Sequence, residues 1–133
     1  MTTKQNYGIR KTLDIGFDEA VGRTRELLQT EGFGVLTEID MKAKLKEKID
    51  VDVPPYLILG ACNPPLAYKA LQAEPEIGLL LPCNVIVYEG PGGKTVVSAM
   101  DPGVMSKVVG DNPVMEEVAK DARARLERVI EKL

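Results

Sequence analysis

The sequence predicts an α+β fold: a two-layer sandwich in which helices pack on a sheet of about five strands, with a long C-terminal helix. Two observations support this prediction. Segments with a strand-like apolar pattern alternate with segments of helical spacing along the chain. The helices are short and apolar on one side only, which favours two layers over a doubly wound sheet. Because 133 residues suit one domain with a buried core, we expect residues 1–133 to form a single domain.

The first half of the chain is predicted to alternate strands with helices. The predicted strands are residues 7–14, 33–40 and 56–62. The first helix begins near Gly16 and ends at Gly32, since glycine tolerates the left-handed conformation common at helix ends. The second helix begins at Asp40, whose side chain can cap it, and carries lysines on its solvent side. The third begins at Asn63, and the two prolines that follow suit a first helical turn.

The second half is predicted to form a hairpin and two helices. Residues 77–89 have the pattern of one long strand interrupted by Pro82, and a proline inside a strand implies a bulge or an edge position. A glycine-rich turn at residues 90–93 leads to a return strand at 94–101. A short helix is expected at residues 102–109. The last helix is capped by Asn112 and keeps its apolar spacing to Leu133.

Composition and charge exclude several classes of partner. The formal net charge is −3 and the pI is about 5.1. Such a surface does not suit nucleic acid or an anionic membrane. No segment reaches the roughly 20 apolar residues of a membrane-spanning helix. Residues 1–6 lack the apolar core of a signal peptide, so we expect a cytoplasmic protein.

The chain contains no histidine, which removes the usual nucleophile–histidine pairs and the common zinc sites. The two cysteines alone cannot complete a tetrahedral zinc site. We therefore expect neither a metal nor another cofactor. Because no catalytic constellation is recognisable, the sequence favours a binding role over an enzymatic one.

The candidate site consists of two Cys-Asn pairs, Cys62-Asn63 and Cys83-Asn84, each set in an apolar segment. If their strands are neighbours, two thiols and two carboxamides converge on one spot. Simpler interpretations exist for each residue. Either cysteine could be a small buried core residue, and Asn63 could serve only as a helix cap. Asn84 could bind nearby backbone or point into a pocket, and the sequence does not decide between them.

Glu38 and Asp40 are a second candidate pair, because residues two apart share one face of a strand. Paired carboxylates can perform acid–base chemistry when their environments differ. The plainer interpretation, which we favour, is a helix cap at Asp40 and an exposed or ion-paired Glu38.

Four segments together resemble the bacterial and archaeal domain-of-unknown-function family 302. They are residues 32–40 (GFGVLTEID), 59–64 (LGACNP), 78–85 (GLLLPCNV) and 100–102 (MDP). The resemblance runs from the first strand to the last helix, and the combination of segments is specific. It implies a compact α+β domain, often dimeric, with no agreed activity. The residues that match the family's motifs are Glu38, Asp40, Cys62, Asn63, Pro64, Pro82, Cys83 and Asn84.

Three functional hypotheses follow. The first, which we favour, is a module that binds a small molecule in a pocket near the Cys-Asn pairs. The second is a thiol-based redox protein or sensor that uses Cys62 and Cys83. The third is a structural interaction domain that forms a homodimer. Candidate dimer surfaces are the apolar side of the C-terminal helix and the strand edge near Pro82.

Overall fold

The computed structural model describes residues 7–133. Residues 1–6, for which the sequence predicts no signal peptide, lie outside the described part. The strands are β1 (Gly8–Leu13), β2 (Gly34–Asp40), β3 (Tyr56–Cys62), β4 (Cys83–Glu89) and β5 (Thr95–Met100). The α-helices are α1 (Phe17–Thr30), α2 (Met41–Ile49), α3 (Pro64–Ala73), α4 (Gly103–Val109) and α5 (Pro113–Lys132). Short 3-10 helices occupy Pro75–Leu80 and Pro91–Gly93.

The five strands form one antiparallel sheet in the order β1-β5-β4-β3-β2. β4 is therefore the central strand, and β1 and β2 are the edges. With helices packed on the sheet and a long helix at the C-terminus, the structure confirms the predicted fold class.

One face of the sheet is covered by α1 and α5 and forms the main hydrophobic core. Alternate residues of each strand enter this core, because successive side chains of a strand point to opposite faces. The strand residues buried there are Leu13, Leu57, Leu59, Ala61, Val85, Val87, Val97 and Ala99. Leu28 of α1 and Leu126 of α5 meet them from the helical layer and are fully buried. Burial of each large aliphatic side chain contributes about 1.5–3 kcal/mol.

A second hydrophobic cluster joins α3, α4, α5 and the 3-10 helix Pro75–Leu80. Met115 and Val118 of α5 pack in it, while Leu126 and Val129 of the same helix belong to the main core. The apolar side of the C-terminal helix is thus used inside the chain. It does not provide the dimer surface that the sequence suggested.

We call the other side of the sheet the open face. It consists of the outward positions of the three inner strands: Tyr56, Ile58 and Gly60; Asn84, Ile86 and Tyr88; Val96 and Ser98. α2 lies over its β2–β3 end, where Met41 and Leu45 flank Tyr56. Ile58, Ile86 and both tyrosines remain half-buried. Among residues 7–133, nothing beyond α2 covers this apolar surface of the sheet.

The long strand predicted for residues 77–89 is wrong. Pro75–Leu80 forms a 3-10 helix, and β4 begins only at Cys83, directly after a cis Leu81–Pro82 peptide bond. Because proline has no N–H for the ladder, a central strand cannot extend through it. The strand near Pro82 is accordingly neither bulged nor at an edge. A register irregularity occurs instead in the edge strand β2, between Val35 and Thr37.

Gly60 occupies a position on the open face where a side chain has no room. A Cβ atom there would lie 2.8 Å from Cγ of Pro82 and would also overlap Oγ1 of Thr37. The absence of a side chain at Gly60 lets the β2–β3 pair and the segment before β4 approach each other closely.

We predict that Gly60→Ala lowers the free energy of unfolding by about 2 kcal/mol, because the added methyl group overpacks this contact. Urea denaturation measures the effect. Gly34→Ala is the matched control, since Gly34 lies in the neighbouring strand and a Cβ there meets no atom within 4 Å. Equal stability of the two variants would contradict the explanation.

Candidate functional site

The two Cys-Asn segments lie side by side in the sheet. Ala61 pairs with Cys83, and Gly60 pairs with Asn84, in the antiparallel β3–β4 ladder. Both segments sit at the same end of the sheet, beside the N-terminus of α3. The segments are neighbours, but the register does not bring all four side chains together: Cys83 faces the helical layer, whereas Asn84 faces outward.

A small cavity lies between these segments and the helices. Its volume is about 30 Å³, and its lining includes Phe33, Cys62, Leu66, Cys83 and Met105. This volume holds about two water molecules. Sites for organic ligands measure about 300–1,000 Å³. The cavity beside the thiols is therefore too small for the small-molecule pocket that the sequence suggested at this place.

Both thiols are poorly disposed to ionise. Burial raises the pKa of Cys83 to about 11, with a further contribution from the neighbouring Cys62. Burial also raises the pKa of Cys62. The helix end next to Cys62 offers little compensation, since Pro64 and Pro65 have no N–H groups with which to stabilise a thiolate. Nucleophilic chemistry at neutral pH is therefore disfavoured.

The two cysteines are both free. Cys83 is opposite Ala61 and not opposite Cys62, whose own partner in the ladder is Gly34. Although both cysteines line the small cavity, this register does not make them a directly opposed pair. Such an arrangement does not favour a disulfide.

Asn63 performs a structural task. Its side-chain oxygen accepts a hydrogen bond from the N–H of Leu66 at 3.3 Å and caps α3. Its side-chain nitrogen donates to the carbonyl of Glu31 at 3.3 Å. That carbonyl also accepts from Nη1 of Arg125 at 3.0 Å. Asn63 thus joins the start of α3 to the end of α1, and both polar atoms of its carboxamide take part in that junction.

Asn112 repeats this device at the start of α5. It caps the helix through the N–H of Met115 at 3.1 Å and donates to the carbonyl of Ala73 at 3.2 Å. The repetition supports a structural interpretation of asparagine at such positions, because one carboxamide satisfies two orphan backbone groups at the ends of two helices.

Glu38 and Asp40 lie apart from the cysteines. Their partners in β3 are Leu59 and Leu57, whereas Cys62 is opposite Gly34. Four residues of strand separate Gly34 from Glu38, a distance of about 13 Å. Asp40 accepts a hydrogen bond from the N–H of Ala43 at 3.0 Å and caps α2.

Glu38 forms an ion pair with Arg25 of α1, and both side chains are exposed. A carboxylate in this setting serves as a surface contact between β2 and α1. The plainer interpretation of the Glu38 and Asp40 pair therefore fits the structure.

Asn84 is the candidate residue that faces a larger space. It lines a groove of about 580 Å³ on the open face, together with Tyr56, Ile86, Tyr88 and Ser98. At its end the groove is bounded by Tyr7, Gly8 and Met100. Apolar and aromatic surfaces surround a few polar groups, which is the usual composition of a ligand site.

Two tyrosines form one wall of this groove. The rings of Tyr56 and Tyr88 stack with centroids 5.2 Å apart and planes inclined by 22°. Burial raises the pKa of Tyr56, and the nearby Tyr88 and Tyr7 add to the effect, so its hydroxyl remains protonated well above neutral pH. Nη2 of Arg10 donates to the hydroxyl of Tyr88 at 3.3 Å.

Sequence reasoning did not single out Ser98. It lies at an outward position of β5, opposite Ile86, between Val97 and Ala99, which enter the core. The available signal was a lone hydroxyl inside a strongly apolar strand. Because strand order was not predictable, nothing placed it near Asn84.

The described residues contain no group of three or more side chains suited to hold a metal ion. Nor does any helix within residues 7–133 combine the length and the apolar character required to cross a bilayer.

Comparison with known proteins agrees with the sequence resemblance. The family model described as "Domain of unknown function DUF302" matches residues 9–133. A crystal structure of an uncharacterized conserved DUF302 protein from Bacillus stearothermophilus superposes with a TM-score of 0.87. The two sequences are 30% identical, and the match covers 96% of this chain and 98% of the other. None of the curated proteins compared matches the sequence. The extent of these matches shows that the chain belongs to the DUF302 family.

Proposed function

We propose that this protein is a binding module for a small, uncharged, planar molecule, and that the binding site is the groove on the open face. The observation that carries the proposal is a pair of polar side chains, Asn84 and Ser98. Both line the groove, and neither has a hydrogen-bond partner among residues 7–133.

Asn84 is exposed and Ser98 is 7% exposed, so a ligand in the groove replaces water at these polar groups. Asn84 offers a carbonyl acceptor and two N–H donors, and Ser98 offers a hydroxyl that both donates and accepts. Their strand positions are diagonal across the β4–β5 pair, which places the Cα atoms about 7–8 Å apart. A ligand that carries one donor and one acceptor on a rigid frame matches this spacing.

The surroundings indicate the rest of the ligand. Tyr56 and Tyr88 provide aromatic surface, and Ile86 provides an aliphatic floor. A flat, apolar ring suits such walls. The groove volume of about 580 Å³ lies within the range of sites for small organic molecules.

The thiol redox hypothesis has less support. It requires a thiolate at neutral pH, and burial raises the pKa of Cys83 to about 11. The strand register also does not pair the two cysteines, because Ala61 and not Cys62 lies opposite Cys83.

We expect benzamide to bind weakly in the groove, with a dissociation constant of about 1 mM, because it is a small fragment with one carboxamide and one ring. Two-dimensional NMR of the labelled protein should show shifts confined to the backbone amides of residues 84–88 and 96–100. Asn84→Leu and Ser98→Ala should each weaken binding about fivefold, the value of one hydrogen bond.

The control for these variants is Gln72→Leu, which removes an exposed carboxamide from α3, outside the groove. It should leave the shifts unchanged. The free energy of unfolding of Asn84→Leu should lie within about 0.5 kcal/mol of that of the parent protein, since the exposed Asn84 side chain makes no hydrogen bond to residues 7–133. Benzamide shifts that are absent, or that survive both groove variants, would refute the proposed site.

The raised pKa of Cys83 predicts a loss of stability in alkali. The unfolded thiol ionises near pH 9.0 and the folded thiol near pH 11. Between these values the unfolded state releases the proton first, so the free energy of unfolding falls as pH rises, by about 2–3 kcal/mol in all. The full contribution is present below pH 9.0.

Comparison with Cys83→Ala isolates this effect from the titration of tyrosine and lysine. The variant should show a flatter decline in urea-derived stability over the same pH interval. In addition, a disulfide reagent at pH 7 should label the native protein far more slowly than the urea-unfolded protein. Rapid labelling of the native thiols, together with identical pH profiles, would restore the redox hypothesis.

A further inference from the structure

We propose that the groove on the open face selects a cyclic amide: a six-membered ring with an N–H and a C=O side by side next to Asn84, and a second carbonyl within reach of Ser98. The inference rests on the proposed function and deepens it, because it names the class of molecule that the groove takes. Free oxopyrimidines belong to this class, and uracil is the simplest probe.

Ser98 is a buried residue whose hydroxyl opens into the groove. The residue is 7% exposed and lines the groove, and its hydroxyl has no hydrogen-bond partner among residues 7–133. Yet no polar side-chain atom of the buried or half-buried residues in this range is both unpartnered and sealed from solvent. The small exposed part of Ser98 therefore includes its Oγ atom. A hydroxyl confined in this way is available to a group that enters the groove.

The carboxamide of Asn84 is open on the side of Ser98. Its neighbour on β3 is Gly60, and Oγ1 of Thr37 and Cγ of Pro82 occupy the space above Gly60. On the β5 side, the groove continues from Asn84 to Ser98. A ligand that contacts Asn84 therefore approaches from the side of β5, the strand that also carries Ser98.

A carboxamide is matched best by another amide edge. Asn84 offers an N–H donor and a C=O acceptor side by side, so a ligand with an adjacent C=O and N–H forms two parallel hydrogen bonds with it. Asparagine makes paired contacts of this kind with the edge of adenine in DNA. A ring amide holds both groups in one plane in a fixed arrangement. A ligand with only one of them leaves half of the carboxamide to water.

The distance to Ser98 requires a second polar edge on the ligand. The two residues are diagonal neighbours across the β4–β5 pair, with Cα atoms about 7–8 Å apart. A single ligand atom would have to lie within about 3 Å of both side chains to serve them together. A ring with an amide at one edge and a carbonyl at another spans the interval, and the hydroxyl of Ser98 donates to that carbonyl.

The charges around the groove favour a neutral ligand without a phosphate. Within the described chain, the outward positions of β3, β4 and β5 carry no charged residue. Tyr56 keeps its proton well above neutral pH, because burial raises its pKa. Arg10 of the edge strand β1 donates to the hydroxyl of Tyr88. Because these three strands offer no cation for a phosphate, a free heterocycle suits the groove better than a nucleotide.

Two-dimensional NMR titration of the labelled protein with uracil tests the inference. We expect a dissociation constant of about 0.1 mM, about tenfold below that of benzamide, because uracil serves both polar residues. The matched control ligand is 1,3-dimethyluracil, which keeps the ring and both carbonyls but has no N–H. It should bind at least about tenfold more weakly than uracil. Uridine 5′-monophosphate should also bind more weakly than uracil.

A change of specificity at residue 84 tests the paired hydrogen bonds. Asn84→Asp replaces the donor–acceptor pair with a carboxylate that only accepts. This variant should bind uracil about tenfold more weakly and should acquire affinity for benzamidine, whose two parallel N–H groups match a carboxylate. The parent protein and the control Gln72→Leu should not bind benzamidine. A loss of folding would not produce this new affinity.

Three results would each overturn the assignment of the ligand class. They are equal affinity for uracil and 1,3-dimethyluracil, tighter binding of uridine 5′-monophosphate than of uracil, and no binding of benzamidine by folded Asn84→Asp. If benzamide gives the expected shifts while uracil has no advantage, the proposed function stands and only the ligand class is wrong. If neither benzamide nor uracil binds, both proposals are wrong.

Discussion

The structure depends on one constraint: successive side chains of a strand point to opposite faces, and helices α1 and α5 cover one of those faces. In the β3–β4 pair this alternation sends Leu59, Ala61 and Cys83 into the core and Asn84 outward. A shift of one residue in register would exchange the two sets. The antiparallel pairing of Ala61 with Cys83 therefore decides which residues enter the core and which face outward.

The interior around the thiols serves to pack the helical layer against the sheet. Cys83 is buried beside a cavity of only about 30 Å³. The carboxamide of Asn63 forms hydrogen bonds with the backbone at the end of α1 and at the start of α3. Packing and helix capping thus account for the cysteines and asparagine that the sequence presents as a candidate site. Glu31 strengthens the same junction: its carboxylate receives two hydrogen bonds from Arg128, which hold its pKa below the usual value.

The open face has the opposite character. It combines stacked tyrosines and isoleucines with Asn84 and Ser98, whose side chains have no hydrogen-bond partner among residues 7–133. The groove proposed as a ligand site lies on this face. This character follows from the position of the helices: α1 and α5 cover the other face, whereas α2 lies over only the β2–β3 end of this one.

The sequence by itself determined the order of strands and helices and the caps at Asp40, Asn63 and Asn112, because apolar spacing and capping depend on residues close together in the chain. It also determined membership of the family, through the combination of four short segments. The prediction of a strand at residues 77–80 was wrong, because these residues belong to a 3-10 helix. An apolar segment before proline has no local signal that separates a 3-10 helix from a strand. Tertiary structure alone decided that Asn84 faces away from the thiols and shares a groove with Ser98. That outcome depends on strand order and register. Both arise from contacts between distant parts of the chain, so the local sequence pattern does not predict them.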